Sequence, residues 1–189
     1  MKRFLSLFFA LFLAACSSHA DPTLIGTGMS KTAPDPNPQR FISMVYPPTG
    51  EKLDIVYFHD GAYDPKAMHA IDRLFRDRRE DITAPIDPEL IDFLVDIRTR
   101  LGLPPSVTFE ILDGYRTPES NAFFSKHNGN VAIESLHVRG WAVDFRIPGV
   151  DGRAICEIAK TMQRGGVAFY PTSNHVHVDL GNIRTWRER

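Results

Sequence analysis

Imidazoles and carboxylates recur at strand spacing in two stretches of this 189-residue chain, Ser135-Leu-His-Val-Arg-Gly-Trp-Ala-Val-Asp144 and His175-Val-His-Val-Asp179. Side chains alternate along an extended strand, so Ala142 and Asp144 share one face while Val143, Phe145 and Ile147 share the other. The same rule sets His175, His177 and Asp179 against Val176, Val178 and Leu180. If the two strands are neighbours, imidazoles and a carboxylate converge over a sheet whose other face is core. Two neutral imidazoles and one carboxylate form a ligand set for catalytic zinc, with a fourth position open to water. The plain competing reading is a pair of half-exposed strands with polar residues toward solvent, which His175-Val-His177 alone would satisfy. The Ser-x-His-x-x-Gly-x-Ala-x-Asp spacing followed by His-x-His is far more specific than either piece.

Positioning these groups takes turns and strands. His137 is expected at a strand mouth, Gly140 at the sharp turn, and Trp141 to Ile147 extended. Upstream, Val107 to Leu112 suits a buried strand that opens into Asp113-Gly-Tyr-Arg116, and Thr117-Pro118 starts a short helix. Arg116, at that opening, is either a surface arginine paired with a nearby carboxylate or a working cation. Asn128-Gly-Asn130 reads as a loop beside the site. Asp151 to Gln163 forms the last helix, closed by Gly165-Gly166, and Val167 to Tyr170 is the strand before His175.

The first half of the chain reads as scaffold. Phe41 to Tyr46 and Lys52 to Phe58 flank Pro47-Pro-Thr-Gly50 as a hairpin at the domain edge. Asp64-Pro65 and Asp87-Pro88 each place an N-cap before a proline at the first helical position. The first helix then turns Ala67, Ile71, Leu74 and Phe75 inward. The second buries Leu90, Ile91, Leu94, Ile97 and Leu101 and stops at Gly102, before Pro104-Pro105. Arg73 to Asp81 mixes both signs of charge and reads as a solvated face. His59 reads as peripheral. The architecture expected is α+β: a small, mostly antiparallel sheet with helices packed on one face and the site on the other.

At Tyr57-Phe-His-Asp-Gly61, Ile111-Leu-Asp-Gly-Tyr-Arg-Thr-Pro118, Gly165-Gly-Val-Ala-Phe-Tyr-Pro171 and Val176-His-Val-Asp-Leu-Gly181, together with the two stretches above, the chain resembles a known family. It is similar to the zinc peptidoglycan peptidases that share a fold with D-alanyl-D-alanine metallopeptidases and the hedgehog signalling domain, and most to the murein endopeptidase K type. The resemblance runs from about Val56 to Trp186. It implies Zn2+ held by His137, Asp144 and His177, and Arg116 holding a substrate carbonyl or carboxylate. It implies peptidoglycan stem peptides as substrate, cut at diaminopimelate-diaminopimelate or D-Ala-diaminopimelate bonds. D-alanyl-D-alanine dipeptidases carry a glutamate three residues before the last zinc histidine, and that position here is Asn174. His175, on the same strand face as His177, is therefore the candidate for general base or oxyanion support. Asp179 either orients an imidazole from behind or faces solvent, and Ser135 is a further candidate to support the ligands. A chain that kept the fold and lost catalysis would instead be a zinc- or peptidoglycan-binding lipoprotein.

Met1-Lys-Arg followed by the apolar run Phe4 to Leu13 is too short for a permanent membrane span and suits a signal-peptide core. Leu13-Ala-Ala-Cys16 resembles a bacterial lipobox, which makes residues 1–15 a leader and Cys16 the lipidated residue. Ser17 after the cysteine favours the outer membrane by analogy, so the expected location is periplasmic and lipid-anchored. Ordinary cleavage after Ala20 is the alternative. Residues 16–40, with Ala33-Pro-Asp-Pro-Asn-Pro38, read as a tether, and 41–189 as the catalytic domain. A net charge of -1 gives no broad field for nucleic acid. With Cys16 taken up by the lipid, Cys156 stands alone on an apolar helical stripe and reads as core. The expected state is a monomer.

Overall fold

The computed structural model describes residues 38–129 and 131–187. The expected leader, lipidation site Cys16 and most of the tether lie outside them, as does Asn130 of the loop beside the site. Among the described residues no helix is long and apolar enough to cross a membrane.

Each helix begins where its sequence provides an acceptor for otherwise unpaired amides. In α1 (Pro65–Phe75) the Asp64 carboxylate accepts from the amides of Lys66 and Ala67, at 2.7 and 3.3 Å. In α2 (Pro88–Arg100) Asp87 accepts from Glu89 at 3.0 Å. Thr117 starts α3 (Pro118–His127) and Asp151 starts α4 (Gly152–Thr161) in the same way. Such a cap stabilises a helix by about 1 kcal/mol, and proline at the first position of α1, α2 and α3 costs no hydrogen bond there.

The strands are β1 (Arg40–Tyr46), β2 (Glu51–His59), β3 (Ala62–Tyr63), β4 (Thr108–Asp113), β5 (Ala142–Arg146), β6 (Gly166–Tyr170), β7 (His175–Asp179) and β8 (Arg184–Arg187). They form one eight-stranded sheet in the order β3-β2-β1-β4-β5-β7-β6-β8. The sheet is larger than the small one expected, and it is mixed: β1 runs parallel to β4 and β6 parallel to β8, the other pairings being antiparallel. The β1–β2 hairpin is also less marginal than expected. β1 lies inside the sheet, hydrogen-bonded to β2 on one side and β4 on the other, and the edge position falls to β3.

One apolar core unites the inward stripes of α1, α2 and α4 with alternate residues of the strands, among them Phe109, Ile111, Val143, Phe145, Val176 and Val178. Ala67, Ile71, Leu74 and Phe75 of α1 are all buried, as the 3.6-residue period requires, and Cys156 is buried in α4. The residues between the core-facing ones on β5 and β7 are Asp144, His175, His177 and Asp179, which the pleat turns to the other face.

The charged run Arg73 to Asp81 is not simply a solvated face. Asp77 is buried, accepting from the amides of Arg79 at 2.9 Å, Glu80 at 3.1 Å and Thr117 at 2.7 Å. Burial pushes its carboxyl upward, but the hydrogen bonds donated to it, led by that from Thr117, outweigh this and hold it below the usual carboxylate range. A carboxylate among arginines is thus withdrawn to tie the end of α1 to the start of α3. Arg76 and Arg78, its neighbours, both pair with Glu51 of β2.

Candidate metal centre and groove

The register of β5 against β7 sets Asp144 directly beside His177 and Ala142 beside Asp179. His137 reaches them from a 3₁₀ turn, Leu136–Arg139, rather than from a strand mouth. Ser135 caps that turn, its hydroxyl 3.4 Å from the His137 amide. Gly140 closes it with φ 69°, and an added Cβ there would lie 2.2 Å from the carbonyl oxygen of Pro85, so the turn can dock against the start of α2 only with glycine at this place.

Three ligand atoms converge. His177 Nδ1 lies 2.8 Å from Asp144 Oδ1, His137 Nε2 lies 3.3 Å from His177 Nδ1, and His137 Nε2 is 3.6 Å from Asp144 Oδ1. Among the described residues this is a group able to hold a metal ion. The remaining nitrogens fit that use. His137 Nδ1 is 2.6 Å from the carbonyl oxygen of Gly114, which can only accept, so the proton sits on Nδ1 and the lone pair on Nε2. His177 Nε2 is 3.0 Å from Asp179 Oδ2, which leaves its Nδ1 to face Asp144. Outer partners of this kind fix the tautomer of metal-binding histidines.

At neutral pH the charges put a proton where a metal would bind. Burial works against ionisation of Asp144, yet the imidazoles of His137 and His177 hold its carboxyl well below the usual range. Burial likewise opposes a charged His177, while the carboxylates of Asp144 and Asp179 raise its pKa to about 9. Without a metal the His177 ring is thus held as an imidazolium between two carboxylates, and a dication taking Nδ1 would displace that proton. One carboxylate oxygen and two imidazole nitrogens are then a donor set suited to a borderline-soft dication.

These atoms lie on a groove of about 530 Å³, lined also by Arg116, Glu134, Tyr170, His175, Arg184 and Trp186. Arg116 is paired with a carboxylate but is not on the surface. It pairs with Asp113 at 2.5 Å, and it is buried, with Nη2 3.7 Å from Asp144 Oδ2. His175 lines the groove with its ring stacked on Tyr170, centroids 4.3 Å apart, and Nδ1 2.6 Å from the Ser173 hydroxyl. Asp179 does not face solvent: it is fully buried behind His177. Asn174 holds structure, its side chain binding the Gly152 amide at 2.8 Å and the Val150 carbonyl at 3.1 Å where α4 begins. His59 sits between Asp60 and Asp64, outside the groove lining. Asn128 and Gly129 line the groove, as their loop was expected to.

Four contributors had no assigned role in the sequence: the Gly114 carbonyl, Asp113, Arg184 and Trp186. Backbone groups carry no residue signature. Arg184 and Trp186 alternate on β8, and the Trp186 ring lies 5.0 Å from that of His177 while its Nε1 donates to the Tyr170 hydroxyl at 3.2 Å. The available signal was the glycine on either side of a buried carboxylate, in Gly165-Gly166 and Asp179-Leu-Gly181.

Comparison with known proteins identifies the family. Residues 34–186 match the family model of the peptidoglycan L,D-endopeptidase MepK. The chain is 37% identical over 139 residues to the probable peptidoglycan L,D-endopeptidase MepK of Haemophilus influenzae, covering 74% of each protein. It is 35% identical over 138 residues to the peptidoglycan L,D-endopeptidase MepK of Escherichia coli K12, covering 73% of this chain and 75% of that one. No solved structure matches the chain. With the matched region spanning both strands, the 3₁₀ turn and the Arg116 loop, the chain belongs to the MepK family of peptidoglycan peptidases.

Proposed function

We propose that the protein is a zinc-dependent endopeptidase that hydrolyses peptide cross-links in peptidoglycan, at the L,D bond joining two diaminopimelate residues. The observation that carries this reading is the convergence of His137 Nε2, His177 Nδ1 and Asp144 Oδ1, with the far nitrogen of each ring committed elsewhere. Family membership and relatives named for the same activity support it.

Zinc held by these three groups would supply Lewis acidity and a water acidified toward neutral pH. The chain's own side chains do the rest. Asp113 and Asn121 hold the Arg116 guanidinium in place, through contacts of 2.5 and 3.5 Å, so that it meets developing negative charge on a scissile carbonyl without having to reorganise. His175, on the groove wall, is the candidate to accept a proton or to stabilise the oxyanion, and its stacking on Tyr170 restricts the ring. Ser135 holds the turn that carries His137. The groove, of about 530 Å³, brings these side chains together with Glu134, Arg184 and Trp186.

The leader and Cys16 motif support a periplasmic location with a lipid anchor in the outer membrane and residues 16–40 as tether to the cell wall; the chain is taken as a monomer. The test is a digest of purified, cross-linked muropeptides analysed by mass, with and without chelator. Release of monomers from diaminopimelate-diaminopimelate dimers, abolished by chelator and restored by zinc, is the expected result. Zinc uptake without cleavage of any cross-link would make the protein a binder.

A further inference from the structure

We infer that Arg184 is a positioning residue of the metal centre: acting through Asp179, it fixes the His177 ring so that Nδ1 faces the groove. Asp179 is fully buried, and both of its oxygens are engaged. Oδ2 receives His177 Nε2 at 3.0 Å and Arg184 Nη2 at 2.7 Å. Oδ1 receives Arg184 Nη1 at 3.0 Å and the amides of Gly166 and Gly181, both at 2.9 Å. A carboxylate offers about four lone-pair sites, so this one is saturated by donors and has no place for a proton of its own. Its position opposite His177 Nε2 then requires the imidazole proton on Nε2. That leaves Nδ1 turned toward Asp144 and His137 as the atom a metal would take.

Arg184 is what neutralises the buried carboxylate. Its two terminal nitrogens meet the two oxygens in the fork geometry that arginine forms and lysine cannot. The backbone around the pair is cleared for it. A Cβ on Gly166 would lie 2.4 Å from Asp179 Oδ2 and 2.5 Å from Arg184 Nη1, and one on Gly181 would lie 3.1 Å from Asp179 Oδ1 and 3.2 Å from Arg184 Nη1. The competing role for Arg184, which lines the groove with its side chain 45% exposed, is a direct contact to a substrate carboxylate. Commitment of both terminal nitrogens to Asp179 favours positioning.

The inference rests on the metal centre proposed above, and the test separates the two. The full chain, Arg184→Ala and Arg184→Lys are titrated with Co2+, read by visible absorption, and with Zn2+ against a chromophoric chelator. Hydrolysis of cross-linked muropeptides is followed at saturating metal. Arg184→Ala is expected to bind metal about ten- to hundredfold more weakly, with an altered cobalt spectrum, a lowered kcat and little change in KM. Arg184→Lys restores the charge without the fork and should fall between. Wild-type metal affinity and cobalt spectrum in Arg184→Ala, with or without a raised KM, would overturn the inference. If Arg184→Ala loses its native far-UV spectrum, Arg184→Gln, which keeps the stem beside Trp186, replaces it with the same expectations. A wild-type chain that takes up no metal overturns the centre itself.

Discussion

The carbonyl oxygen of Gly114 stands 2.6 Å from Nδ1 of His137, so a loop at the end of β4 decides which nitrogen of a ring on a distant turn faces the groove. The same loop carries Arg116, whose amide donates to the carbonyl oxygen of His137 at 3.2 Å. Candidate ligand and candidate catalytic cation are thus registered to each other by two backbone contacts.

His177→Ala removes one of three converging donors, so metal content and activity should fall together when both are measured on one preparation. His175→Ala leaves the three donors untouched. It should keep its metal while losing about a hundredfold in rate, the size expected of proton-transfer or oxyanion assistance. Loss of metal from His175→Ala with retention in His177→Ala would reverse the two roles.

Arg116→Ala should lower kcat/KM by about a hundredfold or more, with metal stoichiometry unchanged. Because Asp113 then loses its ion-pair partner, the melting temperature should also fall modestly. Parallel loss of metal would show that Arg116 holds the centre together rather than the substrate.

Asp77→Ala leaves the buried Thr117 amide without its acceptor and should cost about 1–3 kcal/mol in denaturant unfolding. The carboxyl of Asp77 lies below its ordinary range when folded. Its contribution is therefore complete above the unfolded value of about 3.9 and disappears as pH falls through the lower folded one. Wild type should lose this increment below about pH 4, and Asp77→Asn should show a flatter acid limb. Identical acid limbs would remove Asp77 from the account.

Cys16→Ala should release the protein from the membrane fraction without blocking export, as judged by fractionation of cells. Retention in the membrane would rule out the lipid anchor.

Local chemistry made much of this readable in advance. Asp64-Pro65, Asp87-Pro88 and Thr117-Pro118 mark helix starts because an acceptor and a preset φ act within a few residues. The alternation in His175-Val-His-Val-Asp179 gives the buried and groove-facing sides because a pleat has period two. What escaped depends on partners distant in sequence. Nothing in Phe41 to Tyr46 says that it pairs in parallel with Thr108 to Glu110. The composition of Arg73 to Asp81 does not show that one carboxylate turns inward toward Thr117. The spacing of His137 to Asp144 fits several backbones, a strand mouth and the 3₁₀ turn among them. The pairing of Arg184 with Asp179 arises only after the chain doubles back at Gly181.

The interior position of β1 bears on how the domain carries mechanical load. Tension applied ahead of Arg40 runs along β1, while the hydrogen bonds to β2 and β4 lie across that direction. Such a strand is loaded in shear, with many bonds resisting at once, rather than peeled away one bond at a time. Arg40 stands at the entry point, its guanidinium held by Asp92 at 2.8 Å and Asp96 at 2.6 Å on α2. Part of the force thereby passes into a helix on the core side of the sheet as well as into the neighbouring strands.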